Sequence, residues 1–529
     1  KIPWWWVPPA NSPALVQRTI FHPDWLVPLT IGYIGMPFGI IATISLSFVI
    51  RQLYMEVERL PFPTGAMAAE LAKSMAQGSE PKRYEIFSIA AFIAFLYGIA
   101  YYVSPAILMV IGGYERPRGF MPSIIDLTSF LDYSPLYGAT FGITIDLMAV
   151  SIGMIIPRNV VFGIAIGAVA AYIIGNHYLV ASGLIRWKPG TPMIGPGLTG
   201  VWQQPMLEYW ISVSIGLLVS AIIIPFIKNA RAIVEALQSF MQLSAEEERR
   251  LGVWSGKKSL AYFFASSAVL VALAIGFELA VNPEDFFNFM PFWLLGVPLI
   301  TIGLSFVNSL SIGRSAGLMG SSLTIPYSRE LVTWALYNGI DGWFNPFISM
   351  IDGGTILIGY KAAELTYTKP MSIVKAHVVD TIVSSLSSLF FSYLFWATYD
   401  IPSRILPAPG FYPQAALTSL YITKQFGFFK PELIVAGLAA GAVIELVAPI
   451  SALISAIGLS SGFSSLPSAS MAILLGWLIR EFIRRKKGDE WVSQYLMSMV
   501  AGLWAGSSLA IALSTGITFA YQAVMPGIY

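Results

Sequence analysis

The stretch Trp25–Ile50, WLVPLTIGYIGMPFGIIATISLSFVI, runs for 26 residues without a charged side chain. A bilayer's hydrocarbon core is about 30 Å thick, and a helix of about 20 apolar residues crosses it. A soluble fold could bury one such run, but at least ten of comparable length follow along the chain. Composition agrees. Hydrophobic residues make up 56% of the 529 and charged residues 11%, against roughly 25% charged in soluble domains. Mean hydropathy is +0.69. The fold class expected is therefore all-α, a polytopic integral membrane protein forming a single transmembrane domain over 1–529.

Apolar helices are expected at about 24–52, 84–112, 136–157, 159–183, 206–228, 259–281, 290–313, 332–360, 371–398, 430–458, 464–484 and 491–524, about twelve spans in all. Two further pieces do not fit that pattern. Segment 411–427 is apolar but short and carries Lys424, and 314–331 is rich in glycine and serine. At least one of them, 411–427 first, is expected to be re-entrant or interfacial, and non-helical backbone at membrane depth persists only where protein buries it or a cavity wets it.

Basic loops set the orientation. Loops 51–83, 228–258 and 480–490 concentrate lysine and arginine, whereas 282–288 carries Glu284 and Asp285. The positive-inside rule puts the three basic loops in the cytoplasm of a multi-pass protein of the cell membrane. Twelve spans satisfy all three placements and leave both chain ends outside. The opening Lys1–Pro9, with Trp4, Trp5 and Trp6 among prolines, suits a membrane interface and lacks the layout of a signal peptide.

Several chemistries find no signature. A net charge of +2 gives no case for nucleic acid. Cysteine is absent, and the three histidines are far apart in sequence. The glycines of Gly252–Lys258 are wrongly spaced for a phosphate-binding loop. No metalloenzyme helix or nucleophile elbow occurs. Neither an enzyme, nor a cofactor, nor a resident metal is expected. What remains are ionisable groups inside apolar helices, which are costly there and mark transport routes or ion pairs. They are Asp146, Glu278, Asp341, Asp352, Lys361, Glu364, His377, Asp380 and Glu445, with Asn345 beside them. His377 and Asp380 share a helix face by their i, i+3 spacing. Residues 332–380 combine most of these groups with Gly353, Gly354 and Gly359, and are expected to line a route through the membrane.

Just after the first helix, Leu60–Leu71 reads LPFPTGAMAAEL. Pro61 and Pro63 stiffen the incoming chain, Gly65 permits close approach, and Thr64 could cap the helix that follows. This run, with Pro61, Phe62, Pro63, Thr64, Gly65 and Glu70, resembles a signature of the oligopeptide transporter family, which includes the yellow stripe-like metal-chelate transporters. Gly502–Leu509 after Trp491, and Tyr367–Pro370 opening a helix, resemble two further family features in the same order. The resemblance runs from about residue 24 to the C-terminus. It implies a secondary active transporter, coupled to protons, that takes up small peptides or metal–chelate complexes. It also implies about four family helices that this chain does not show ahead of the signature, supplied by a second chain or missing, and allows a homo-oligomer. Unlike family members, the chain carries no acidic residue near Ser507 in its last helix. The rival reading is a non-transporting or permease-like membrane subunit of a larger complex.

Overall fold

A computed structural model describes residues 5–75, 81–112, 119–185, 198–399, 411–424 and 429–524. Among these, eight helices are long and apolar enough to cross a bilayer: α1 Pro23–Val57, α3 Pro81–Ile111, α5 Arg158–Ala181, α6 Trp202–Lys228, α7 Gly256–Val281, α8 Phe292–Met319, α11 Pro370–Thr398 and α16 Asp489–Tyr521. Shorter helices fill the gaps: α2 Pro63–Met75, α4 Leu147–Ile155, α9 Ser328–Leu336, α10 Leu357–Leu365, α12 Phe411–Thr423, α13 Pro431–Leu446, α14 Ala456–Ser464 and α15 Pro467–Lys487. The all-α polytopic architecture stands, with one short antiparallel strand pair among the described residues, β1 Ile124–Asp126 against β2 Gly142–Thr144.

Three of the twelve expected spans are broken, for local reasons. Within 136–157 only α4 is helical, because Asp146 stands before it in extended conformation and accepts the Met148 and Ala149 N–H groups. A carboxylate that bonds its own backbone starts a helix rather than sitting inside one. Within 332–360 the helix stops at Leu336 and resumes at Leu357. Within 430–458, α13 ends at Leu446 and α14 begins at Ala456, with the short turn Ala448–Leu453 between. Within 464–484 the helix α15 runs unbroken from Pro467, and its last turn carries Arg484, Arg485, Lys486 and Lys487. Neither of the two pieces outside the pattern is a continuous spanning helix. The 13 residues of α12 reach only about 20 Å, though residues 425–428 of that segment lie outside the described ones. In 314–331 the helix holds to Met319, then Gly320 turns into the left-handed region at φ 73° and ends it. Loop 228–258 contains two helices, Ala230–Met241 and Ala245–Leu251, the second opened by a reciprocal Ser244/Glu247 cap.

Close helix pairs rest on small residues, as membrane packing demands. Glycines meet the partner's backbone where α5 lies on α14, α6 on α13, α4 on α15 and α3 on α16. A Cβ at Gly163 would lie 2.6 Å from the Ser455 carbonyl oxygen. The largest buried cluster joins α1, α5, α6, α7, α8 and α10, and includes Phe48, Ile50, Tyr54, Leu218, Phe263 and Tyr360.

Candidate functional site

Between α8 and α11 the chain makes two unwound passages. From Gly320 it runs without helix to Tyr327, coils as α9, and reaches Tyr337, whose hydroxyl donates to Asp285 at 2.7 Å. After the turn Asp341–Phe344 it runs without helix, in irregular backbone, from Asn345 to Ile356 and coils again as α10. Two half-wound crossings thus lie beside one continuous helix, between an end bearing the basic segments and an end bearing Asp285 and Asp341.

Unwound backbone in a membrane needs partners, and α8 supplies them from a row of buried polar side chains. Asn308 Oδ1 accepts the Ile325 N–H at 2.7 Å, and its Nδ2 donates to Ser328 Oγ at 3.0 Å. Ser311 Oγ donates to the Leu323 carbonyl at 2.7 Å, and Ser315 Oγ accepts the Leu323 N–H at 2.8 Å. On the second passage, Ser305 Oγ accepts the Ile351 N–H at 2.8 Å. Ser309 Oγ accepts the Gly353 N–H at 2.9 Å and donates to the Ile351 carbonyl at 3.1 Å. All five side chains are buried. Two π turns, Phe292–Gly296 and Leu299–Leu304, lie in the same helix, a distortion frequent near functional sites.

The proline–phenylalanine–proline run clamps the basic end of this arrangement. Phe62, fully buried with φ 45°, donates its backbone N–H to the Gly317 carbonyl at 2.9 Å. Thr64 lies one residue inside α2, and its hydroxyl donates to the Gly320 carbonyl at 3.0 Å, across to the end of α8 instead of capping its own helix. A Cβ on Gly65 would sit 2.6 Å from the Ile358 carbonyl oxygen, so glycine lets α2 touch α10. Glu70 accepts from Ser498 at 2.5 Å and pairs with Arg83 at 3.4 Å.

Two residues that sequence reasoning passed over, Glu58 and Arg314, lie beside the clamp. Glu58 Oε2 is 3.6 Å from Arg314 Nε, with side chains 9% and 12% exposed. The Arg314 guanidinium also donates to the Ala221 carbonyl. Burial pushes the Glu58 carboxyl above its usual range; Arg314 opposes that and the Glu445 carboxylate adds to it. Glu445 Oε1 accepts the Ala456 N–H at 3.3 Å across the break between α13 and α14, and Lys228 donates to the Glu445 carbonyl.

The anticipated residues fall into separate groups. Asp146 is a helix cap that also accepts from Tyr102 at 2.7 Å. Asp341 accepts from Asn282 at 2.8 Å, and Asn345 donates to the Ala274 carbonyl at 3.1 Å, both at the acidic end. Asp352 takes the Gly354 and Thr355 N–H groups and the Thr355 hydroxyl, closing a turn just ahead of α10. Lys361 pairs with Glu364 at 3.2 Å on α10. His377 and Asp380 stand on α11, where the hydroxyl of Ser384 donates to Asp380 at 3.2 Å. Asp380, Thr381 and Ser384 face a cavity of about 720 Å³ whose other wall holds Trp6, Trp25 and Tyr33. The 332–380 region therefore contains the second unwound passage and one wall of that cavity, while the first passage, 320–327, lies ahead of it. A signal for the missed serine row was present: Ser305, Asn308, Ser309, Ser311 and Ser315 recur inside a single apolar helix.

A family profile described as OPT oligopeptide transporter protein matches residues 15–518. No curated protein sequence matches the chain. Signature, helical architecture and profile agree over nearly the whole length, and the chain belongs to the oligopeptide transporter family.

Proposed function

We propose that this membrane transporter is a proton-coupled importer of small peptides, or of peptide-like metal chelates, acting in the cell membrane with its basic end in the cytoplasm. The observation that carries the reading is the pair of unwound passages bound to the polar row of α8. Broken helices at membrane depth, held by side chains rather than by their own ladders, can exchange partners as the protein changes state. Asp380 and the hydroxyls beside it give the cavity a polar, acidic wall suited to a peptide's amino end or a chelate's cation. Glu58, between Arg314 and Glu445, is the group best placed to gain and lose a proton as α8 moves against the turn after α1.

Reconstituted vesicles with an imposed pH gradient test this. Accumulation of a short peptide or an iron chelate that follows the inward proton gradient, and collapses with a protonophore, is the expected result. Uptake of neither substrate under any gradient would instead favour a permease-like subunit that needs other chains.

A further inference from the structure

At the end of the molecule opposite the basic segments, three carboxylates converge from two parts of the chain. Glu278 ends α7, Asp285 sits in the short helix Pro283–Asn288, and Asp341 opens the turn between the two unwound passages. One oxygen from each lies within 4.8 Å of the others. Glu278 is completely buried, and neither of its oxygens makes a well-formed hydrogen bond, with the Asn345 amide and the Asp285 carboxyl its nearest polar neighbours. Among the described residues no lysine or arginine pairs with any of the three. A buried carboxylate without donor or counter-charge is strongly disfavoured, and two acidic neighbours add to the cost.

The donors that are present bond Asp285 and Asp341 rather than Glu278. Asp285 Oδ2 accepts from Tyr337 at 2.7 Å and from Trp293 at 3.3 Å. Asp341 Oδ2 accepts from Asn282 at 2.8 Å. Each retains another carboxylate oxygen. The tyrosine, tryptophan and asparagine thus act as an outer ring that orients ligands, as partners of metal-bound carboxylates do.

We propose that Glu278, Asp285 and Asp341 form the site of a resident hard divalent cation, with calcium the best match. The donors are all oxygen, with no histidine or cysteine in the group, which selects against zinc and copper. Calcium takes several carboxylate oxygens in adaptable geometry, whereas magnesium demands a stricter octahedron and keeps its waters. The cation fastens the end of α7 to the Asp341 turn and so fixes the point where the chain reverses between its unwound passages. The site does not depend on the transport reading, and its test reads binding and stability rather than uptake.

The test uses the full-length protein, purified in detergent and stripped with chelator. Terbium, a luminescent stand-in for calcium, should show emission sensitised by tryptophan, since Trp293 bonds one of the ligands. Calcium should displace that signal and raise the unfolding temperature, while matched sodium chloride does neither. Glu278→Gln and Asp341→Asn should each weaken calcium binding by about tenfold or more. In chelator, Glu278→Gln should be no less stable than the wild type, because it removes an uncompensated charge. That comparison separates loss of the site from loss of the fold. The proposal is overturned if the wild type shows no calcium-, magnesium- or manganese-dependent shift. It is equally overturned if the shift survives in both variants. Shared protons, or a surface site elsewhere, would then account for the result.

Discussion

Asn308 and Ile325 face each other across the first unwound passage, the amide oxygen of one accepting the backbone N–H of the other at 2.7 Å. Both are buried, so no water replaces that bond. An orphaned buried amide costs about 1–3 kcal/mol. Asn308→Ala removes the bonds to Ile325 and Ser328 together and should lower unfolding stability by about that amount. Ser309→Ala strands the Gly353 N–H on the second passage and should cost a similar amount. Thermal unfolding in detergent measures both; a variant indistinguishable from wild type would show that α8 does not hold the unwound chain.

Gly65 tests the clamp. Its missing Cβ would approach the Ile358 carbonyl oxygen at 2.6 Å and the Lys361 Cβ at 2.9 Å. Neither is the free end of a flexible side chain, so Gly65→Ala must push α2 from α10. Overpacking of this kind costs about 1–3 kcal/mol. The nearby Ala68 is exposed, and Ala68→Ser should be nearly neutral in the same unfolding assay. Equal behaviour of the two variants would remove the close contact as the reason for the glycine.

The spans were legible wherever length and uniform apolarity decide the structure, as in Trp25–Ile50. The breaks were not, because hydropathy averages over a window while a break is decided by a few local bonds. Asp146 reads as a buried charge in mid-helix until its carboxylate is seen accepting two N–H groups of α4. The Glu58–Arg314 pair escaped notice because the partners are 256 positions apart and each lies near a helix end, where charge is ordinary. The serine row of α8 was legible but undervalued. Serine is cheap in a membrane helix when it bonds back to its own turn, and only the facing backbone shows that Ser305, Ser309 and Ser311 bond outward.

Asp146 also yields a discriminating pair of substitutions. Asparagine is an equally good cap, whereas alanine loses about 1–2 kcal/mol. Asp146→Asn should therefore keep both stability and proton-dependent uptake, and Asp146→Ala should lose stability. If Asp146→Asn instead abolished the dependence of uptake on the pH gradient while the protein stayed folded, Asp146 would be a proton carrier rather than a cap.

Glu58 makes a pH prediction whose sign is fixed. Its carboxyl is held above the ordinary 4.5 by burial, so between 4.5 and its raised value the folded protein holds more proton than the unfolded chain. Stability from this group is complete at the acid side of that window and falls as pH rises through it. Glu58→Gln should flatten that fall, with wild type and variant converging on stability slope above the raised value. In vesicles the same substitution should uncouple uptake from the proton gradient while sparing substrate exchange. Unfolding curves with equal pH slopes in this window would place the titration elsewhere.

Orientation can be read directly, because the chain has no cysteine to interfere. Ala68 on α2 and Glu284 in the short helix after α7 are both exposed and lie at opposite ends of the bundle. Lysine and arginine crowd the first end: Arg51, Lys228, Arg231, Arg249 and Arg250 all belong to segments packed there. Charge bias of this kind sets topology when it lies close to the span ends. Ala68→Cys should resist a membrane-impermeant thiol reagent in intact cells and react in inverted vesicles. Glu284→Cys should do the reverse. Labelling of Ala68→Cys from outside would turn the protein over in the membrane. The Glu58–Arg314 pair would then face the exterior, and the direction proposed for transport would have to be reversed with it.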